Sequence, residues 1–309
     1  MWQVHNQLDK LDVCVVGRAH DPGHYQSEQI QRIVSETNED LDLLENLLST
    51  FSVKVVRPEN IKHDLPAPVT PRDYIGMIGN CLFVETYNTN WNDIRSNSWP
   101  IDPPTTNKEW DELPSSIKHE IIHVFNIKDL QQLHKYEYIN LKHIVNQVSA
   151  TNKIICDTKI DTAMICRLGE RLIVGTWPDI DYPSLVKKYF PDKRIDVIKS
   201  DGHLDGTIAV VSDDLIIARD DVIVNVDGFE TFYIRQDIHN GNPETYFDIN
   251  MLVIDRNNII CLSNNNEELI RKLEERGINT HIFNFRHRSF WDAGLHCITS
   301  DLNRINITL

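Results

Sequence analysis

Positive charge is in short supply in this sequence. Its 309 residues include 46 Asp and Glu against 31 Lys and Arg, a formal net charge of −15. Nucleic-acid binding draws on clustered Lys and Arg to neutralise phosphates, so a nucleic-acid partner is excluded. Small cationic substrates remain open, because an acidic surface attracts them weakly. Long apolar runs are missing as well. No stretch reaches the roughly 18 residues of a membrane span, so no membrane partner is expected. The opening "MWQVHNQLDKLDVCVVGR" has no basic segment followed by an apolar one, and no secretory signal is expected from it. Glycine numbers only 12. Neither G-x-x-x-x-G-K-[ST] nor G-x-G-x-x-G occurs, and "GERLIVG" and "DGHLDG" are too poor in glycine to wrap a phosphate. No cofactor is expected.

The six cysteines, at 14, 81, 156, 166, 261 and 297, are widely scattered, mostly inside apolar runs such as "VCVVG" and "NCLFV". That spacing reads as reduced thiols in a cytoplasmic setting, not as a disulfide framework.

What is present is an ordinary globular composition, 41% hydrophobic and 25% charged. Strand-like runs recur, among them "DVCVVGRA", "VKVVRP", "CLFVET", "RLIVGTW" and "MLVIDRNNIICL". Helical stretches lie between several of them. Residues 27–50 place Ile30, Ile33, Val34, Leu41, Leu44, Leu47 and Leu48 on one face and acids on the other. In "NNEELIRKLEERGIN", Asn264 to Asn266 can start a helix and Gly277 can end it. Strands alternating with helices throughout predict an α/β fold. The Pro-, Asp- and Asn-rich stretch 89–114 reads as a surface excursion, since strand patterns resume beyond it, so one domain spanning 1–309 is expected.

Several motifs carry chemistry. "KHEIIHVF" holds His119, Glu120 and His123 at the H-E-x-x-H spacing of a zinc site, with Glu137 as a conceivable third ligand. The pattern is short and its surroundings unremarkable, so two histidines on a solvated helix face are the preferred reading, and no metal is expected. Arg72 and Asp73 stand just before one apolar run, Asp157 and Asp161 before another, and His203 and Asp205 before a third. If His203 and Asp205 lie in extended chain they face the same side. Near the end, "FWDAGLHCITSDLNR" sets Cys297 beside His296. A buried small hydrophobe, a disulfide partner, a metal ligand and a catalytic thiolate all compete for that cysteine.

Taken together, these motifs resemble the glycine amidinotransferase family of the guanidino-group-modifying (pentein) enzymes. "VCVVGRA" is similar to the family's opening strand, "ETNEDLDLLENLLSTFSVKVVRP" to its first helix–strand pair, and "TPRDYIGMIGN" to its P-R-D motif. "DTAMICRLGERLIVG" resembles the D-A-A-D/N strand, "GHLDGT" the H-x-D motif and "GLHCITSDLNR" the cysteine motif. The resemblance runs nearly end to end. It implies a five-bladed pseudo-symmetric α/β propeller of ββαβ units, with Cys297 as nucleophile, His203 as acid and base, and Asp161 fixing the imidazole. It also implies that Asp73 and Asp205 hold the guanidinium.

The departures bear on specificity. Met164 replaces the second acid or amide of D-A-A-D/N, and "YNTNWNDIR" replaces the family's W-R-S-R run. Where arginine-using members carry a carboxylate-binding Arg, Val222 stands here, with Arg219 close by as a substitute. A family serine that assists falls near Glu244, a candidate partner for a distal ammonium. The resemblance implies an amidinotransferase acting on a small guanidine donor and an amine acceptor. The runner-up is a deiminase or dihydrolase of the same superfamily. The transferase is favoured by the first acid motif, which is not the deiminases' E-G-G-D, and by the fit of the cysteine motif and N-terminus. A non-catalytic binding protein on this fold is a third reading. Donor, acceptor and oligomeric state, homodimer included, are left open by the sequence.

Overall fold

The computed structural model describes residues 1–19, 21–24, 28–59, 69–84, 141–155, 160–176, 181–200, 202–235, 247–262, 266–291 and 293–306. The H-E-x-x-H residues His119, Glu120 and His123, together with Glu137, Asp157, Glu244 and the 89–114 excursion, lie outside them.

Among the described residues there are five three-stranded sheets. Strands β1 (Lys10–Val16), β2 (Lys54–Val56) and β15 (Thr299–Ile305) form one sheet in the order β15-β1-β2. The others are β3 (Ile75–Ile78), β4 (Cys81–Val84) and β5 (Lys153–Ile155); β6 (Ile165–Leu168), β7 (Arg171–Gly175) and β8 (Arg194–Ile198); β9 (Ile208–Ser212), β10 (Leu215–Arg219) and β11 (Glu230–Ile234); and β12 (Leu252–Asp255), β13 (Asn258–Cys261) and β14 (Asn279–Ile282). One arrangement repeats in all five: an antiparallel pair shares its middle strand with a parallel third.

The parallel pairing needs a crossover, which is where the helices sit. Helix α1 (Glu28–Thr50) joins β1 to β2, α2 (141–149) joins β4 to β5, α3 (Tyr182–Tyr189) joins β7 to β8, and α4 (Glu267–Glu275) joins β13 to β14. Helix α1 buries Ile30, Ile33, Val34, Leu41, Leu44 and Leu48, the face its periodicity predicts. Helix α4 starts where the Asn266 side chain accepts a bond from Leu269 N at 3.0 Å and stops before Gly277, whose φ of +71° suits a residue without Cβ.

A turn precedes the first strand of each sheet's antiparallel pair. Turns 71–73, 162–164, 204–206, 247–249 and 295–298 lead into β3, β6, β9, β12 and β15. Every motif residue brought together below belongs to one of these turns or borders it, so the repeat delivers five short segments to one place.

Strand β15 carries the main buried ion cluster. Asp301, fully buried, accepts Arg72 Nη2 at 3.0 Å and Arg167 Nη2 at 2.9 Å on Oδ1, and Arg304 Nε at 2.8 Å on Oδ2. Burial alone would raise this carboxyl, but Arg167, Arg72 and Arg304 outweigh it and hold it well below the carboxylate range. The arginines then spread outward to backbone carbonyls. Arg167 Nη1 reaches Met77 O at 2.8 Å, Arg304 reaches Asp9 O at 2.7 Å and Val253 O at 2.9 Å, and Arg72 Nε reaches His296 O at 2.7 Å and Thr299 O at 3.0 Å. One carboxylate thereby ties four of the sheets together.

Replacing Asp301 by Ala would strand three buried cations, which for a broken buried pair costs about 3–5 kcal/mol. Urea unfolding of Asp301→Ala should show a loss of that order; a change below about 1 kcal/mol would mean that the cluster carries no such load.

Candidate active site

Extended chain from His203 to Asp205 would set the two side chains on one side, but the chain turns there. Leu204–Gly206 is a 3-10 turn with His203 as its N-cap residue. The two side chains separate as a result. His203 turns to Asp161, with Nε2 2.9 Å from Oδ2, and stands 3.8 Å from Asp73 Oδ1 through Nδ1. Asp205 turns to the cysteine loop, with Oδ2 3.7 Å from Cys297 Sγ and 2.7 Å from His296 Nδ1. Both lie in one charged neighbourhood with Asp73, where each group acts on the others.

The turns are locked to each other before any ligand arrives. The Thr162 hydroxyl donates to Arg72 O at 2.9 Å, and a Cβ on Gly76 would lie 2.2 Å from Thr162 Oγ1. Asp161 caps its own turn by accepting from Ala163 N at 2.8 Å, which leaves its other oxygen for His203. Met164, at the departure from D-A-A-D/N, is fully buried in the apolar cluster around Phe83 and Val174, so this position serves packing.

Asn250, absent from the predicted site, is the clamp on the loop of Cys297. Its Oδ1 accepts from His296 N at 2.7 Å and Cys297 N at 3.1 Å, while its Nδ2 donates to Asp205 O at 3.1 Å and approaches Cys297 Sγ at 3.2 Å. All four contacts need an amide, and Asn250 is 1% exposed. Gly294 explains itself by the same contact, because a Cβ there would stand 2.4 Å from Asn250 Cβ. The sequence carries no signal for Asn250, which stands between the 247–249 turn and β12 with no motif around it.

The electrostatics are lopsided. Burial pushes the Asp73 carboxyl up to about 7; His203 opposes this, while Asp161 and Asp205 add to it. Burial, then Asp205 and Asp73, push the Cys297 thiol well above its usual range. Burial also works against a charged His203, yet Asp161, Asp73 and Asp205 prevail and keep it protonated well above its ordinary value. Burial would raise Asp205 too, but the His296 bond, His203 and Arg72 hold it below the carboxylate norm. His296 goes the other way, to about 4, through burial and the nearby Arg72. The buried oxygens Asp73 Oδ1 and Asp205 Oδ1 have no hydrogen-bond partner. Such oxygens are a receptor for a cation with N–H donors.

Asp73, Asp161 and His203 also form a group whose donor atoms lie within 4.8 Å of one another, close enough for a metal. A protonated imidazole has no lone pair to offer, so His203 suits an acid better than a ligand. Of the remaining candidates, Arg219 grips Asp221 in a bidentate pair at 2.9 and 2.8 Å, and Val222 is buried. The described cysteines at 14, 81, 166, 261 and 297 are free thiols. No described helix is long and apolar enough to cross a membrane.

No family model matches the sequence, and no curated protein matches it. Solved structures do. The fold is that of the pentein enzymes, which include a dimethylarginine dimethylaminohydrolase from Pseudomonas aeruginosa at TM-score 0.59 and 11% identity, covering 96% of this chain and 100% of that one. Two neighbours matching over the whole length of this chain are amidinotransferases. The inosamine-phosphate amidinotransferase of Streptomyces griseus aligns at TM-score 0.71 and 17% identity, and an amidinotransferase of saxitoxin biosynthesis from Microseira wollei at 0.70 and 13%; each covers 100% of this chain and 98% of its own.

The charge pattern predicts how stability varies with pH. His203 holds its proton more tightly when folded, so its contribution is complete below about 6.5 and is lost as pH rises through its raised value. Asp73, raised to about 7, acts in the same direction, since the folded chain keeps a proton that the unfolded chain has released. His296 acts oppositely, but its contribution is complete by about pH 6.5. Urea unfolding should therefore show stability falling from pH 7 to 9, with a shallower fall in Asp73→Asn. Stability that rises over that interval would contradict these charge states.

Proposed function

We propose that the chain is an amidinotransferase, a single catalytic domain whose five sheets are the blades of a pseudo-symmetric propeller. In this reading it moves an amidino group from a guanidine donor to an amine acceptor through Cys297. The observation that carries the reading is the pair of buried oxygens without a hydrogen bond, on Asp73 and Asp205, beside a buried thiol. A guanidinium is planar, cationic and rich in N–H donors, and it fits two such carboxylates.

The chemistry follows from the residues. A guanidinium between Asp73 and Asp205 offsets the charge that keeps Cys297 protonated; the thiol releases its proton to solvent as the donor binds and takes one back when the product leaves. Sγ adds to the guanidinium carbon, a C–S bond forms, and the C–N bond to the donor amine breaks. His203, protonated and held by Asp161, gives its proton to the leaving amine. The amidino group stays on Cys297. An acceptor amine then attacks the same carbon, passes a proton to His203, and the C–S bond breaks to release the new guanidine. Arg219 and Glu244 are proposed contacts at the far end of the substrates; a donor carboxylate would have to share Arg219 with Asp221. Reduced thiols in a cytoplasmic setting accord with this chemistry.

The hydrolase reading keeps every one of these groups but breaks a different C–N bond: the terminal nitrogen leaves as ammonia, the alkyl-bearing part of the donor stays on Cys297, and water in place of the acceptor amine releases it as a urea such as citrulline. It has support from the dimethylarginine dimethylaminohydrolase and from an arginine dihydrolase of the cyanobacterial ornithine–ammonia cycle, both of which share the fold. The matches to two amidinotransferases over the whole of this chain support the transferase reading.

Mass spectrometry of products from arginine with a panel of amines separates the two. Ornithine with a guanidinylated amine is expected, whereas citrulline or ammonia would establish the hydrolase. Cys297→Ser should abolish turnover with little change in unfolding midpoint, and donor alone should leave one amidino group on wild-type Cys297. His203→Asn should lose on the order of 10²–10⁴-fold in kcat, the usual range for acid–base work; near-normal turnover would remove it from the mechanism.

A further inference from the structure

His296 neighbours the nucleophile in sequence and lies outside the mechanism above. Its placement is over-determined. The backbone N–H donates to Asn250 Oδ1 at 2.7 Å, the carbonyl accepts from Arg72 Nε at 2.7 Å, and the ring Nδ1 lies 2.7 Å from Asp205 Oδ2. Three separate turns thus fix one residue. The Asp205 oxygen that meets His296 is also the one nearest Cys297 Sγ, at 3.7 Å, and the other, Oδ1, is buried without a hydrogen-bond partner.

We propose that His296 is a positioning residue that holds Asp205 by one oxygen and presents the other to the guanidinium of the substrate. The inference rests on the guanidine reading of the site. Without the Nδ1–H bond the carboxylate could rotate about its Cβ–Cγ bond and turn either oxygen to Cys297. With it, the free oxygen has one direction. The peptide bond between His296 and Cys297 then links the orientation of the carboxylate to the position of the nucleophile.

The charge state of His296 completes the argument. A protonated imidazole would hold Asp205 equally well but would cancel its charge, leaving little attraction for a substrate cation. A neutral imidazole donates the same bond and leaves the full negative charge available. Burial and Arg72 keep His296 neutral, down to about 4, whereas His203 is kept charged. The groups that bear on Asp205 are His296, His203 and Arg72 on the cationic or donor side, and Asp73, Cys297 and Cys166 on the other. Of these, His296 makes the shortest bond to its carboxylate, 2.7 Å against 3.7 Å for Cys297 Sγ on the same oxygen.

The test uses calorimetric binding of methylguanidine to the chain carrying Cys297→Ser, which cannot form the amidino adduct, followed against pH. His296→Phe, added to it, keeps a ring and loses the donor; His296→Asn retains an N–H near the place of Nδ1. The Phe variant should bind methylguanidine about tenfold or more weakly, the usual effect of losing a hydrogen bond to a charged group. The acid limb of binding should move up in pH as Asp205 loses its donor. The Asn variant should stay within about threefold of the Cys297→Ser parent with its acid limb in place. If the Phe variant does not fold, His296→Ala is measured under the same conditions with the same expectation. Binding that persists unchanged in the Phe or Ala variant would overturn the role of His296 alone, as would an Asn variant no better than Phe. A parent that fails to bind methylguanidine would overturn the guanidine reading, and this inference with it.

Discussion

Asp301 is a carboxylate cut off from water with three guanidiniums on it, and the remainder of the site depends on where it sits. Its charge is what permits Arg72, Arg167 and Arg304 to be buried at all. Once buried, they turn several of their remaining N–H groups to backbone carbonyls of other segments, although Arg72 Nη1 and Arg167 Nε have no hydrogen-bond partner. Arg72 is the one that matters most for the chemistry. Its side chain holds His296 O and Thr299 O, while its own carbonyl receives the Thr162 hydroxyl. The loop of Cys297 and the turns of Asp73 and Asp161 are therefore referred to one fixed point.

The site itself is built on the opposite rule. At Asp301 cations surround an acid, and every charge has a partner. Around Cys297 three acids, Asp73, Asp161 and Asp205, face one imidazolium, and two carboxylate oxygens have no hydrogen bond. A fold that satisfied this region internally would be more stable and would bind nothing. Stability given up at a binding site in this way is a common compromise. The Asp301 cluster lies close enough to brace the strained region, through Arg72, without neutralising it.

Much of the fold was legible because it rests on local pattern. The apolar face of α1 and the Asn266 cap and Gly277 stop of α4 follow from spacing and backbone preference. Cys297, His203, Asp161, Asp73 and Asp205 carry rare chemistry in short motifs, and the structure gathers all five. Three things were not legible. The turn at Leu204–Gly206 sends His203 and Asp205 to different partners, a matter of backbone conformation that two-residue spacing cannot reveal. Asn250 works through contacts with residues 45 to 47 positions away, in a segment with no motif of its own. Asp301 has nothing beside it in sequence that marks its role, because its three arginines come from places scattered along 233 positions, Arg72 to Arg304.

On the guanidine reading, the same acids account for both the inertness of the empty site and its activation. Asp205 and Asp73 keep the Cys297 thiol protonated, so a stray electrophile meets a poor nucleophile. A cation bound about 4 Å from the sulfur would interact with the thiolate by about 4 kcal/mol at an effective dielectric of 20. That is worth roughly three pKa units. The thiolate would therefore form only in the presence of the group it attacks. Neutral ligands of similar shape could occupy the cradle without triggering it. Selectivity would thus arise at the ionisation of Cys297, where a charge on the ligand decides the outcome, and not from shape alone.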